Sequence, residues 1–416
     1  CRYPTCYRFT VNGRRCMRTF LKLALVVLMS FTAGCSWFGD DDEPEEIKPN
    51  PLPKIQEEVG LRVVWSKKIG KGADDRAVKI LPTVVDTRVF AGAPDGTVKA
   101  LTIDNGREIW SVKIRNVYSK EELANAFSKD LDTITGGVGV GGDLVVLGSA
   151  SGDLIALNQS DGTLAWRVSA SSEILSPPLV NRDRVVAQTI DGKVTAYDSI
   201  DGERLWVYTM NTPPLSLRGT ARPLFYGELV IAAFANGRVA FLDQEKGVAA
   251  YDQRIGIAQG STDLERLVDI DGVMQIVEGK LYVASFQGRI VGIDISSGRL
   301  LWAEEISSLT GVGSGFGNVY AAHADSQLTA YNGDNGREIW NVDALLHRDI
   351  TAPVTLGSYL AFTDFEGYAH VLAQSDGRFV GRRKIDGRGI KAGLVSAGGR
   401  LYALTDSGTL AAIEIK

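Results

Sequence analysis

The chain has 416 residues, 44% of them hydrophobic and 46 of them glycine, and a formal net charge of −5. That is enough for two or three ordinary domains or one large repeat array. Six basic residues and no acid fall within positions 1–34, so the chain beyond Gly34 carries −11. This balance argues against nucleic acid as a partner, because such binding rests on neutralising phosphates.

Residues 1–16 do not begin with methionine, and Met17 is the expected start, with 1–16 an upstream artefact. From Met17 the pattern is secretory: basic Arg18 and Lys22, an apolar run from Leu23 to Phe31, then small residues, giving a signal segment over 17–34. The run is short for a membrane span. It ends in "FTAGCSWFG", which resembles a bacterial lipobox despite Thr32 standing where that pattern prefers leucine. The resemblance implies cleavage after Gly34 and lipidation of Cys35. Three acyl chains would anchor the protein stably where one would not. Ser36, in place of an aspartate after the cysteine, implies the outer membrane, with the body facing the periplasm. Cys1, Cys6 and Cys16 precede Met17, so the processed chain keeps Cys35 alone and no disulfide is expected. Residues 35–59, with "GDDDEPEEIKPNPLP", read as a lipidated, acidic, flexible tether.

From residue 60 to 416 one motif recurs. Its copies include "RVFAGAPDGTVKALTIDNGREIWSV" (Arg88–Val112), "RVVAQTIDGKVTAYDSIDGERLWVY" (Arg184–Tyr208) and "NVYAAHADSQLTAYNGDNGREIWNV" (Asn318–Val342). Each reads as strand, glycine turn, strand, glycine turn, strand, with a further strand ahead of it, as in "SPPLVN" (Ser176–Asn181). A period of about 40–50 residues with four short strands per unit means a β-propeller. The first turn carries glycine in every copy except one, where Ser326 replaces it; the second carries glycine throughout. Four residues after the second glycine stands Trp110, Trp166, Trp206, Tyr251, Trp302 or Trp340, expected to pack between blades; the seventh copy has Gly381 there. The strands are named A to D, with A innermost and D carrying the aromatic. The last copy stops after strand C, and "LRVVWSKKI" (Leu61–Ile69) is a lone D-type strand. The expected fold is therefore all-β: an eight-bladed propeller of four-stranded antiparallel blades, its ring closed by the N-terminal strand completing the C-terminal blade.

The C–D turns are short, whereas the D–A connections vary: a helix-like "SKEELANAFSKDL" (Ser119–Leu131), "MNTPPLSLRGT" (Met210–Thr220), "GIAQGSTDLERLVDID" (Gly256–Asp271) and "DALLHRD" (Asp343–Asp349). All open on one face, so that face is expected to meet a partner. No phosphate loop or metal spacing is present. His323 and His370 read as strand residues with hydrogen-bonded rings, His347 as a loop residue, and the "DxxDG" runs as turn chemistry and not calcium ligands. No catalytic, cofactor or metal residue is expected.

The unit "AYDSIDGERLW" (Ala196–Trp206) resembles the repeat of pyrroloquinoline-quinone enzymes, which are also eight-bladed propellers. Those enzymes add an adjacent-cysteine disulfide, which is missing here, so that resemblance implies the fold and not the cofactor. A quinone-dependent periplasmic dehydrogenase and a binder of sugar or cell-wall fragments are the alternatives. A resemblance over nearly the whole chain from Met17 rests on the lipobox, the acidic tether, the repeats and the loop segments "LSLRG" (Leu215–Gly219), "GSTDLERLVDID" (Gly260–Asp271), "LLHR" (Leu345–Arg348) and "DFEGY" (Asp364–Tyr368). In these the chain resembles the BamB family of outer-membrane β-barrel assembly lipoproteins. The resemblance implies a non-catalytic scaffold that binds the POTRA domains of BamA. It implies indirect association with the other assembly lipoproteins, and contact with nascent β-barrel proteins as a further role. It carries partner contacts onto Leu215, Leu217, Arg218, Asp269 and Asp271. Pro213 and Pro214 stiffen the first loop, and its leucines and arginine suit an interface. The aspartates add charge one blade further on. From the residues alone, the leucines could equally be buried between blades, and the aspartates could serve turns or salt bridges.

Overall fold

The computed structural model describes residues 47–73, 78–125, 131–257 and 259–416. Cys35, the signal segment and the acidic run of the tether lie outside the described residues. Eight four-stranded antiparallel sheets follow one another in sequence, each in the order A-B-C-D. Blade one runs Thr83–Val85, Arg88–Gly92, Thr97–Thr102 and Glu108–Lys113. Blade eight combines Leu394–Ala397, Arg400–Leu404 and Thr409–Ile415 with the N-terminal strand Leu61–Lys68, whose Leu61 lies opposite Ile415. Closure by the N-terminal strand thus stands as read.

Strands B and C are sandwiched between neighbouring blades on both faces, which is why they read as nearly unbroken apolar runs. Val89, Phe90, Ala91, Val98 and Ala100 are all fully buried. Hydrophobic burial of this kind contributes roughly 25 cal/mol per Å². The B–C turns need a left-handed residue. Glycine supplies it in most blades, as at Gly96 (φ +76°), and Ser326 adopts the same conformation at φ +74°. Its hydroxyl accepts the Ile350 amide at 3.4 Å, tying the turn to the next D–A loop.

Each C–D pairing contains a β-bulge at the aromatic position, which blade seven fills with Gly381. Ala100 faces Trp110, Ala156 faces Trp166, Ala196 faces Trp206 and Ala330 faces Trp340, and in each case the next pair skips one residue of strand D. The bulge turns the indole toward the following blade and leaves the skipped residue outward, so Ile109, Leu205 and Ile339 are exposed. The Trp110 ring then covers Gly162 of blade two, and its Nε1–H donates to the Gln159 carbonyl at 3.0 Å. The same bond recurs from Trp65 to Ile103, Trp166 to Ser199, Trp206 to Gln244, Trp302 to Gly333 and Trp340 to Gln374, at 2.8–3.0 Å. Where strand C carries Phe241, a stacked Tyr251 replaces tryptophan, with ring centroids 4.3 Å apart. The aromatics are therefore inter-blade wedges, as expected.

Blade seven breaks the pattern, and the N-terminal segment repairs it. At Gly381 a side chain would meet Val59 and Leu61. The Glu58 and Val59 amides donate to the Val380 carbonyl at 2.8 and 3.0 Å, Arg378 pairs with Glu58, Arg382 bonds the Pro53 carbonyl, and the Asn50 amide bonds the Leu346 carbonyl. The flexible tether read over 35–59 is thus corrected at its C-terminal end: from Asn50 onward the segment is a strap filling the seam between blades seven and eight. Glycine at 381 makes that room.

The D–A loops carry their own order. Ser119 caps the helix Lys120–Asn125: its hydroxyl accepts the Glu122 amide, and Glu122 accepts the Ser119 amide at 2.7 Å, a capping box. Residues 126–130 of the expected helix lie outside the described residues.

Candidate recognition surface

Two D–A loops form the candidate surface. One joins strand D of blade three (Arg204–Thr209) to strand A of blade four (Leu224–Tyr226); the other joins strand D of blade four (Ala249–Arg254) to strand A of blade five (Gln275–Val277). The fold brings all five expected residues together at this place. Leu215 is 43% exposed and Leu217 partly buried. Arg218 is half exposed, and its Nη2 pairs with Glu173 Oε1 at 2.5 Å, Glu173 coming from the preceding D–A loop.

The aspartates are placed differently from surface charges. Asp269 is 1% exposed, and its Oδ2 accepts the Leu217 amide. Its Oδ1 has no hydrogen-bond partner among the described residues. Its backbone carbonyl accepts the Phe286 amide at 2.8 Å, which fixes it to blade five. Asp271 packs against Gly219, where a Cβ would fall 2.5 Å from the carboxylate. The acidic loop therefore works from beneath: it holds the backbone of Leu217–Gly219 so that Leu215 and Arg218 face out. Burial pushes the Asp269 carboxyl up to about 6, with the Leu217 amide bond opposing. Burial, and then the charge of Asp269, push Asp271 up to about 7, with Lys79 opposing.

A raised carboxyl pKa in the fold means the folded state is penalised while the group is ionised, and the penalty is relieved as pH falls through that value. Asp271→Asn is accordingly expected to stabilise the protein at pH 8, on the order of 2 kcal/mol or roughly 2–3 °C in Tm. The gain should fade by pH 5. Thermal unfolding at both pH values reads this out, and a gain that grows on acidification would contradict it.

Residues the sequence reading passed over also belong here. Ile190, on the B–C turn of blade three, is 40% exposed. Together with Thr212, Leu217 and Phe234 it lines a cavity of about 160 Å³ beside Asp271. Leu264 is 65% exposed at the tip of the second loop, which Glu265 braces by accepting the Ser261 and Thr262 amides. Ile190 could have been found from its place on the same face, since B–C turns and D–A loops emerge together. Nothing local marks Leu264 as exposed.

The other candidates are settled by geometry. His370 lies on strand C of blade seven, fully buried, with Nε2 3.1 Å from Asp364. His323 is not a strand residue: it follows strand Asn318–Ala322, with Nε2 2.9 Å from the Thr329 hydroxyl. Arg348 and Asp364, from the "LLHR" and "DFEGY" segments, form a buried ion pair at 2.8 Å, and Arg348 also bonds Glu366 and, at 3.1 Å, the Asn50 carbonyl. Among the described residues no group of three or more histidine, cysteine or acidic side chains is placed to hold a metal.

Comparison with known proteins agrees with this architecture. Residues 94–342 match the family model described as outer membrane protein assembly factor BamB. The outer membrane protein assembly factor BamB of Pseudomonas aeruginosa is 37% identical over 394 residues, covering 94% of this chain and 98% of the relative. The crystal structure of BamB from Moraxella catarrhalis is 29% identical with a TM-score of 0.75, covering 85% of this chain and 99% of that one. A quinohemoprotein alcohol dehydrogenase from Pseudomonas putida is similar in fold alone, at 16% identity and a TM-score of 0.62, over 85% of this chain and 76% of its own. The chain belongs to the BamB family of outer membrane protein assembly factors.

Proposed function

We propose that this protein serves outer membrane protein assembly as a scaffold whose D–A face binds the POTRA domains of BamA. Membership of the family makes it an assembly factor and not an enzyme. The partner and its site are our own reading. Leu215, Leu217 and Arg218 supply the contacts, and Asp269 and Asp271 set the shape of the loop that presents them. The observation that carries this is the Asp269–Leu217 amide bond. It turns an irregular loop with an exposed leucine and arginine into a pre-shaped surface, which spares the ordering cost of binding. The anchor follows the same reading: lipidated Cys35 holds the body on the periplasmic side of the outer membrane, within reach of BamA. Nascent β-barrel proteins, and the other lipoproteins through BamA, are then its neighbours.

The test is capture of BamA from detergent-solubilised membranes. Leu217→Ala with Arg218→Ala is expected to cut capture more than tenfold, as for paired anchor residues at an interface centre. Circular dichroism and Tm should stay close to wild type, because neither side chain belongs to a blade core. Undiminished capture by a folded double variant would refute the site.

A further inference from the structure

On the far side of the ring from those loops, the closing seam between blades eight and one opens into a cleft of about 570 Å³. One wall is the end of the N-terminal strand, Lys68 to Lys71; the other is the B–C turn and strands C and D of blade one. Among the described residues four lysines line it, Lys68, Lys71, Lys99 and Lys113, against one acid, Asp95. That is a local balance of +3 on a chain whose formal net charge is −5.

The single acid is committed to the wall. Asp95 accepts the Lys113 ammonium at 2.8 Å, the Lys71 amide at 3.1 Å and the Thr97 hydroxyl at 2.7 Å, and these bonds overcome its burial to hold its carboxyl down at about 2. Gly70 is pressed so close to Asp95 that a Cβ would sit 2.4 Å from Oδ1, which keeps the two walls together. Lys68 donates to the Ser407 carbonyl, and Lys99 pairs with Glu108 at 2.8 Å on the rim. The Lys71 side chain is exposed, and its ammonium makes no hydrogen bond or ion pair among the described residues.

We propose that this cleft is a second docking surface, for an extended acidic segment of a partner protein. The charge of the lining selects an anionic occupant. The placement suits an extended chain: Lys68 and Lys71 stand exposed on one wall and Lys113 on the other, so one acidic segment laid along the seam meets both. Its place across the ring leaves the cleft accessible while the D–A loops between blades three and five are occupied.

The probe is a fluorescein-labelled decapeptide of alternating glutamate and glycine, titrated against the full chain by fluorescence anisotropy. Binding at low salt that weakens steeply by 300 mM NaCl is expected, because exposed charges are screened within about 5–10 Å at such ionic strengths. Lys68→Glu with Lys71→Glu should weaken binding about tenfold or more. Lys71→Glu alone, which disturbs no side-chain bond among the described residues, should weaken it in the same direction if the double variant does not fold. Arg204→Glu, on the outer strand of blade three, should leave it unchanged. Equal binding by wild type and the folded lysine variants overturns the proposal. So does lysine-dependent sedimentation with phosphatidylglycerol vesicles in the absence of peptide binding, which would make the patch a membrane contact.

Discussion

Alanine at Gly202 is expected to cost the propeller roughly 3–4 kcal/mol, while alanine at Gly227 costs about 1 kcal/mol. Both glycines have positive φ, +77° and +53°. A Cβ at Gly202 would fall 2.7 Å from the Trp166 ring and 3.1 Å from Val168, whereas at Gly227 nothing lies within 4 Å. The Gly227 variant therefore reports the backbone penalty alone, and the difference reports the wedge. Because the indole is clamped at its other end by the bond from Nε1 to the Ser199 carbonyl, 2.8 Å long, it cannot slide away to make room. Urea unfolding of the two variants measures the contrast. Similar losses at both positions would show that the turn conformation, and not ring-on-glycine packing, is what the second glycine secures.

Loss of Arg348 is expected to be at least as damaging, about 3–5 kcal/mol for Arg348→Ala, the range for breaking a buried ion pair from one side. Asp364 is fully buried and Arg348 is 3% exposed, so truncation leaves a carboxylate with His370 as its remaining side-chain partner. Burial alone would raise Asp364; the His370 and Arg348 bonds reverse this and hold it below 3.8. That sign makes its contribution present above pH 3.8 and lost as pH falls through the lowered value. Without the arginine the burial effect wins and the carboxyl rises, so acid relieves the variant, and the gap between variant and wild type should narrow below about pH 5. Burial also lowers His370, which stays neutral with Nε2–H facing Asp364. Its preference for the neutral form costs the fold stability as pH drops below 6.5, and the Arg348 charge, absent from the variant, adds to that preference. Arg348 also holds the Asn50 carbonyl, so limited proteolysis near Lys54 should accelerate in the variant. An unchanged cleavage rate would detach the strap from this cluster.

The ring was legible in the chain because its physics is local and repeated. A left-handed turn needs glycine, a strand pressed between two blades needs unbroken apolar residues, and a wedge needs an aromatic at a constant offset. Each of these leaves a mark within a few residues and recurs in every copy, so even the exception at Ser326 was visible as an exception. Gly381 was visible too, but its reason was not. The residues that take the place of its missing aromatic, Val59 and Leu61, lie more than 300 positions away and carry no turn, period or charge signature.

The candidate surface divides in the same way. Its address, the variable D–A loops, follows from repeat boundaries, and the exposure of Leu215 suits what the loop composition suggested. The role of the acidic loop does not follow. In "RLVDID", Asp269 and Asp271 could by sequence serve turns or salt bridges as well as a partner. Only the approach of two loops from successive blades buries one carboxylate under the Leu217 amide and sets the other against Gly219. The lysine cleft is of the same kind, since its walls come from the first strand and the first complete blade and meet only because the ring closes.

By itself, then, the sequence determined the number of blades, the closing strand, the turns and the wedges, because each depends on contacts within one repeat or on a rule shared by all repeats. The tertiary structure decided which polar groups are buried, which segments strap the seam and where charge collects. Those outcomes depend on single contacts between distant segments, whose free energy is set by burial and geometry that no local pattern encodes.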